Sequence, residues 1–189
     1  GYFDTYYTLN SSEIKFSDVN KHELCCMGHF IEAAIAHFEC TGGSDTRLLD
    51  VAIKCADYLA LTFGNGEGQR KQIAGHQEIE LALIKLHQVT GNELYLDMAK
   101  KFIDVRGVTY RPEGEGVMAP TYAQQHLPVR EQRTAVGHAV RATYLYSGMA
   151  DVAAICGDTT LIPALKAVDK HLCCRDICSN GNVVHVAKS

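Results

Sequence analysis

The feature that most constrains this chain is an internal repeat of helical segments. The segment LDVAIKCADYL, from Leu49 to Leu59, aligns with LDMAKKFIDVR, from Leu96 to Arg106, at an offset of 47 residues. The aligned segments share Leu, Asp, Ala, Lys and Asp, and each follows a helical segment that stops at Thr-Gly. Cys156-Gly157 opens a third, weaker copy. One such hairpin cannot bury its apolar face alone, so the copies must stack on one another.

Apolar residues at three-and-four spacing predict six main helices, which pair into three hairpins. A Gly-rich loop from Gly64 to Gly75 follows the second helix, and a long loop of Pro, Gly and Tyr from Gly107 to Pro128 follows the fourth. Loops as long as the latter in a compact domain are usually functional or disordered. Pro163 falls near the first turn of the sixth helix, where proline is tolerated. The predicted spans are about 22–40, 45–63, 76–89, 93–105, 130–155 and 158–171.

Stacked helical hairpins form either an open solenoid or a closed α/α ring. The unequal repeat lengths, with long loops after the second and fourth helices, favour the ring with a site at one end. We therefore expect an all-α fold of about three hairpins. The odd helices should form one layer and the even helices the other.

The composition is that of a globular protein, with 47% apolar residues, 21% charged residues and a net charge of -4. The negative net charge does not indicate a basic surface for nucleic acid. No uninterrupted apolar stretch approaches the ~18 residues of a membrane span. Five of the eight cysteines fall in amphipathic helical patterns, which predicts reduced thiols and a cytoplasmic location. The chain opens at Gly1 without a signal-peptide pattern, which suggests a removed upstream segment or an excerpt of a longer protein.

Histidines recur at the starts of the hairpins. His22 opens the first predicted helix, His76 opens the third, and His138 lies about two turns into the fifth. In a ring lined by its odd helices these imidazoles would converge at one rim, where neutral histidine could bind sugar hydroxyls. His29 is seven residues from His22 and would line the same wall. Any single histidine is more often exposed or locally satisfied, and we expect this of His37 and His87.

Other motifs favour structural interpretations. His22 with Cys26, and Cys25 with His29, have the i, i+4 spacing that places two zinc ligands on one helix face, but helix packing explains both cysteines better. The terminal cysteines Cys173, Cys174 and Cys178, with His171 or His185, do not have an established zinc spacing.

Glu78 and Glu80 resemble paired carboxylates, but at a separation of two they point to different faces of a helix. Capping of the helix start is the better interpretation of both. The sequence contains no HExxH motif, Walker loop or dinucleotide fingerprint.

Several long motifs resemble one enzyme family. They are GYFDTYYTL, HELCCMGHFIEAAIAHFE, GHQEIELALIKLHQVTGNELYLDMAKKFIDVRG and VGHAVRATYLYSGMADVAAICGD, and together they span roughly residues 1–165. These resemble bacterial members of glycoside hydrolase family 127, typified by β-L-arabinofuranosidase. The resemblance implies an internal part of an (α/α)6 barrel, followed in the family by β-sandwich domains. Three hairpins would then form half of that ring.

The resemblance also implies roles for individual residues. The substrate-contacting histidines of the family match His22, His76 and His138, and the YAQQHLPVREQ motif contributes three pocket-shaping candidates: Tyr122, His126 and Gln132. In the family a zinc-held cysteine thiolate is the nucleophile and a glutamate is the acid/base. Their motifs lie beyond Ser189, so we assign this chain no catalytic residue and no metal ligand.

The sequence is therefore interpreted as residues 1–170 of a catalytic barrel, followed by an atypical, poorly structured tail at 171–189 of the kind that a shifted reading frame would produce. Zinc is expected in the full-length family only. The expected partner is an arabinofuranoside-containing oligosaccharide, without nucleic acid or membrane, and with self-association through exposed apolar faces. The alternatives are a non-catalytic helical scaffold that binds a protein and another α/α-ring enzyme, such as an epimerase or an unsaturated uronyl hydrolase.

Overall fold

The computed structural model describes residues 1–10, 12–18, 20–71, 75–109 and 119–173. These residues are mainly helical, and their β-type pairing is limited to isolated bridges, one of which joins Phe63 and Arg70. Two short 3-10 segments, Val129–Glu131 and Thr159–Leu161, precede the last two helices. The helices are α1 (Thr5–Leu9), α2 (Glu23–Cys40), α3 (Arg47–Thr62), α4 (Ile79–Thr90), α5 (Glu93–Val105), α6 (Ala139–Cys156) and α7 (Ile162–Cys173).

The six predicted helices are confirmed as α2 to α7, and the all-α fold class is confirmed with them. Thr-Gly stops α4 as expected, because Gly91 takes the left-handed conformation (φ 69°) in which its N–H bonds to the carbonyl of His87. The short helix α1 was not predicted. Its capping residue is Asp4, whose side chain accepts the N–H of Tyr6.

The predicted start of the fifth helix is wrong by nine residues, since α6 begins at Ala139 rather than near 130. Gln132 adopts an extended conformation and Gly137 a left-handed one (φ 76°), so the helix cannot form earlier. A side chain at position 137 would also overlap the backbone carbonyls of Thr121 and Tyr122. The segment before α6 is therefore folded closely against the chain around residue 122.

The chain divides into two compact units, residues 1–99 and residues 100–189. In the first unit α2 packs against both α3 and α4, so the opening helices of the first two hairpins are direct neighbours. The hydroxyl of Tyr95, in the first turn of α5, donates a 2.9 Å hydrogen bond to Asp57 of α3. The core of this unit consists of fully buried aliphatic side chains, which include Leu24, Met27, Ile31, Leu59, Ile79, Leu83, Ile84 and Leu86.

In the second unit α6 packs against α7, which is the third predicted hairpin. An ion-pair network holds the turn between them, where Arg130 contacts Asp104 at 2.7 Å and Asp158 at 2.8 Å. The side chain of Asp158 also accepts the N–H of Thr160 and so caps the 3-10 segment. Residues from 174 onward lie outside the described residues, so the expectation of an atypical tail stays a prediction.

The five cysteines on the predicted helices differ in their exposure to solvent. Cys25 and Cys55 are buried free thiols, whereas Cys26, Cys40 and Cys156 are exposed. The helix packing expected of Cys25 and Cys26 is therefore confirmed for Cys25 and wrong for the exposed Cys26. Among the described residues, no helix combines the length and the apolar character needed to span a membrane.

Candidate functional site

Two of the predicted histidines meet in the first unit. The rings of His22 and His76 lie 5.3 Å apart between centroids and are tilted by 43°. His22 is exposed and His76 is half-buried, with the Nδ1 atom of His76 2.6 Å from the carbonyl oxygen of Gln77. Residues 22 and 76 come from segments that precede α2 and α4, and the packing of these two helices brings them together. The pair presents imidazole nitrogens at the N-terminal ends of adjacent helices.

The backbone of His22 is held in an unusual conformation. It is the residue before α2 and adopts the left-handed region, with φ 59° and ψ 21°. Its carbonyl accepts the N–H of Cys26, which starts the helix. Non-glycine residues in this region store on the order of 1–3 kcal/mol of strain, which persists only when surrounding contacts fix it. Strain of this kind is concentrated at functional sites.

The neighbouring Glu23 supplies those contacts. One carboxylate oxygen accepts the Tyr2 hydroxyl at 2.5 Å, and the other accepts the backbone N–H of Phe16 at 2.7 Å. Glu23 is buried, which raises the pKa of its carboxyl, while the hydrogen bonds from Tyr2 and Phe16 act in the opposite direction. A carboxylate is also favoured at a helix N-terminus. Glu23 therefore anchors the N-terminal segment onto the first turn of α2 beside His22.

Glu78 is fully buried, and capping does not explain it. It precedes α4 with φ 150°, and its side chain makes no capping hydrogen bond. Capping fits Glu80 better, since its Oε2 atom accepts the N–H of Glu78 at 3.1 Å. The Glu78 carboxylate rests against Gly28 of α2, where a Cβ atom would overlap it. Burial, followed by the charges of Glu32 and Glu80, raises the pKa of Glu78 to about 9.

Glu78 belongs to a cluster that sequence reasoning missed. One ligand atom from each of His29, Glu32 and Glu78 lies within 4.8 Å of the others, and the Nδ1 atom of His29 is 3.6 Å from Oε1 of Glu78. Glu32 also pairs with the ammonium of Lys85 on α4. His29 and Glu32 share one face of α2 at i, i+3, which was a usable signal, but Glu78 comes from another helix.

In the second unit His138 is the residue before α6, and its Nδ1 atom accepts the N–H of Arg141 at 3.4 Å. Its ring lies 5.4 Å from that of Tyr122, and the Arg141 guanidinium sits 5.2 Å from the centre of the Tyr122 ring. Two predicted site residues, Tyr122 and His138, are thus in contact. The convergence of all three histidines stays a prediction, since His22 and His76 belong to residues 1–99 and His138 to residues 100–189.

The remaining two candidates in this loop have different environments. Gln132 is fully buried, and its amide nitrogen donates to the carbonyls of Gln124 at 2.9 Å and Leu127 at 3.0 Å. These contacts fix the local backbone, and the role of Gln132 in a pocket stays a prediction. His126 is half-buried and lines a cleft of about 500 Å³ together with Thr121, Glu131 and Arg133.

The histidines expected to be structural have local partners. His37 lies 3.7 Å from the Asp45 carboxylate, and the Nδ1 atom of His87 lies 3.2 Å from the carbonyl of Asn92. The i, i+4 pairing of His22 with Cys26 gains no third ligand, because the described residues contain a single group of three potential metal ligands and it includes no cysteine. Burial raises the pKa of the Cys26 thiol, which disfavours the thiolate needed for metal binding.

Comparison with known proteins agrees with this fold. The family model of the β-L-arabinofuranosidase GH127 catalytic domain matches residues 1–177. A curated relative, the non-reducing end β-L-arabinofuranosidase of Bifidobacterium longum subsp. longum, is 40% identical over 210 residues, which cover 100% of this chain and 32% of the relative. The chain thus spans about a third of the length of that relative.

Two solved structures are similar in fold and sequence. A GH127 β-L-arabinofuranosidase from Geobacillus stearothermophilus T6 has a TM-score of 0.83 and 46% identity, over 90% of this chain and 29% of that one. A second GH127 β-arabinofuranosidase has a TM-score of 0.77 and 48% identity, over 85% of this chain and 24% of the other. This agreement fits the expectation of part of an (α/α)6 toroid.

Proposed function

Because this chain belongs to the family of GH127 β-L-arabinofuranosidase catalytic domains, we propose that it forms the sugar-binding part of a glycoside hydrolase. The proposed substrate is an oligosaccharide with a terminal β-L-arabinofuranosyl residue. The observation that carries the proposal is the contact between His22 and His76. These were two of the three substrate-contacting residues expected from the family motifs.

The chemistry of the histidine pair suits a furanose. A neutral imidazole has one N–H donor and one nitrogen acceptor, and a sugar hydroxyl can bond to either. Two rings 5.3 Å apart can reach neighbouring hydroxyls of one sugar ring without the desolvation of a charge. The left-handed conformation of His22, fixed by the Glu23 anchor, sets the direction of its ring before a ligand arrives. Tyr122 and His138, which lie in contact within the second unit, are proposed to offer hydrogen-bonding groups to a sugar as well.

Binding by these residues does not by itself produce hydrolysis. Retaining glycosidases need a nucleophile at the anomeric carbon and a proton donor at the leaving oxygen. The family resemblance assigns both roles to motifs beyond Ser189. The metal-capable group in the described residues contains no thiol, so it does not fit the cysteine-held zinc of the family. We therefore propose that this chain binds the sugar and that turnover needs groups outside it.

Ligand-observed NMR with methyl β-L-arabinofuranoside tests the binding proposal. We expect the variants His22→Ala and His76→Ala to weaken binding at least about tenfold, since each removes a hydrogen-bonding group worth on the order of 1.5 kcal/mol. His87→Ala is the matched control, because this histidine contacts the carbonyl of Asn92 at the other end of α4. Unchanged binding in both variants, or equal loss in the control, would contradict the proposal.

Turnover is tested separately with a chromogenic β-L-arabinofuranoside and added zinc. We expect no release of chromophore by the purified 189-residue chain, because binding substrate and transition state equally well does not accelerate the chemical step. Turnover that is abolished by Cys174→Ala or Cys178→Ala would instead make the terminal cysteines part of an active site.

A further inference from the structure

The cluster of His29, Glu32 and Glu78 is not used by the proposed sugar chemistry. It is formed by α2 and by the residue that precedes α4, and its three ligand atoms lie within 4.8 Å of one another. His29 is half-exposed, with 52% of its side chain accessible, while Glu32 is largely covered and Glu78 is fully buried. The cluster therefore runs from the surface into the interior, and solvent can reach it past His29.

Glu78 is the group that needs explanation. Its side chain is 0% exposed, and neither carboxylate oxygen has a hydrogen-bond donor within bonding distance. Burial without compensating donors disfavours the ionised form of Glu78, and the nearby Glu32 carboxylate disfavours it further. Lys85 bonds to Glu32 and not to Glu78. A cation between the three side chains would satisfy the Glu78 oxygens and favour the ionised form of the group.

The backbone around Glu78 leaves room for that carboxylate. Position 28 on α2 is glycine, and a Cβ atom there would overlap the carboxyl group of Glu78. Gly28 directly precedes His29, so the space left by the missing side chain of Gly28 lies beside His29. The unusual φ of 150° at Glu78 also directs this residue away from a normal helix start.

We propose that His29, Glu32 and Glu78 form a binding site for a divalent transition-metal ion of the zinc class. One imidazole nitrogen and two carboxylate oxygens are ligands that Zn²⁺ accepts, and three protein ligands leave a fourth position for water. Glu32 has two oxygens, so one can bind the ion while the other keeps Lys85. The ion would join α2 to the start of α4, and its ligand His29 lies about two turns along α2 from His22. The site has no cysteine and is separate from the thiolate site expected in the family.

Titration of the metal-free, purified protein with Zn²⁺ tests this site. We expect wild-type protein to bind one more ion than Glu78→Gln, and His29→Gln to weaken that binding event at least about tenfold. Both variants should fold, since Gln has nearly the shape of the buried Glu78 side chain in the first and replaces a half-exposed ring in the second. Glu39→Gln is the matched control: it makes the same charge change on the same helix, two turns away, at an exposed position. The control should bind like wild type.

Substitution with Co²⁺ identifies the ligands. Binding at this site should give cobalt d–d absorption without a thiolate-to-metal charge-transfer band, and Glu78→Gln should abolish that absorption. Three results overturn the proposal: no ion bound by wild-type protein, equal binding in wild type and in both ligand variants, or a bound ion whose spectrum shows only thiolate ligation. None of them bears on sugar binding, which is measured independently.

Discussion

The carboxylate of Glu78 occupies the space that a side chain at Gly28 would need. The two residues are 50 positions apart in sequence, and the packing of α2 on α4 joins them. Gly28 lies inside a helix, where glycine costs roughly 0.5–1 kcal/mol of stability relative to alanine. The steric contact with Glu78 explains why this position nevertheless holds glycine. This contact connects the burial of an ionisable group to the presence of the smallest residue on the facing helix.

Gly28→Ala should destabilise the protein although alanine favours helices. We expect a loss of about 1–3 kcal/mol, because the added methyl group displaces a buried carboxylate in a packed interior. In a Glu78→Ala background the same change should become neutral or stabilising by up to about 1 kcal/mol. Urea unfolding of the four proteins measures the difference. Additive effects of the two substitutions would show that the contact does not exist in solution.

His22→Gly should separate stability from binding. Glycine adopts the left-handed region freely, so the variant loses the strain at position 22, while its unfolded state gains entropy. We expect a change in unfolding free energy between zero and about +1 kcal/mol, together with weaker binding of methyl β-L-arabinofuranoside. Chemical denaturation and ligand-observed NMR on the same sample provide both values. A variant that loses stability and binding in parallel would indicate that the histidine is structural.

Asp158 should make the free energy of unfolding depend on pH in the acid range. Hydrogen bonds from Thr160, together with the Arg130 ion pair, lower the pKa of its carboxyl to about 2, from an ordinary value of 3.8. The folded pKa is depressed, so the stabilisation is fully present above pH 3.8 and is lost as pH falls through 2. Solvent screening limits the effect to about 1 kcal/mol. Asp158→Asn should remove this part of the dependence, which unfolding curves between pH 2 and pH 7 measure.

Gln132→Leu should unfold the segment before α6 more readily. Its amide nitrogen donates to the buried carbonyl of Gln124 and the part-buried carbonyl of Leu127, and leucine would leave both oxygens without that donor. We expect a loss of about 2–4 kcal/mol, of which roughly 1–3 kcal/mol comes from the buried carbonyl and the smaller part from the part-buried one. Gln88→Leu, at an exposed position on α4, is the control. Thermal unfolding of both variants shows whether the loss is specific to the buried amide.

The helices could be predicted from sequence because their signals are local. Apolar spacing and the flanking turns define α5 correctly from Glu93 to Val105. The start of α6 could not be predicted in this way, since Val129, Ala135 and Val136 continue an apolar pattern although they are buried in a loop. Only the close approach of Gly137 to Tyr122 shows that the chain is not helical there, and that approach is a tertiary contact.

Part of the candidate site could also be predicted from local sequence signals. His22 and His76 were selected by their recurrence at helix starts, and the packing of α2 on α4 brings them together. Glu78 was interpreted as a helix cap, because a carboxylate before a helix usually has that role. Its burial depends on Gly28, and its cluster depends on His29 and Glu32, all on a different helix. No local pattern around residue 78 contains that information.

The side-chain amides of Gln124 and Gln132 hold the backbone of the loop before α6. Gln124 donates to the carbonyls of Tyr122, Val136 and His138, and Gln132 donates to those of Gln124 and Leu127. Every donor and every acceptor in this set lies between residues 122 and 138. The two buried amides therefore hold this backbone in place before any ligand meets Tyr122 and His138.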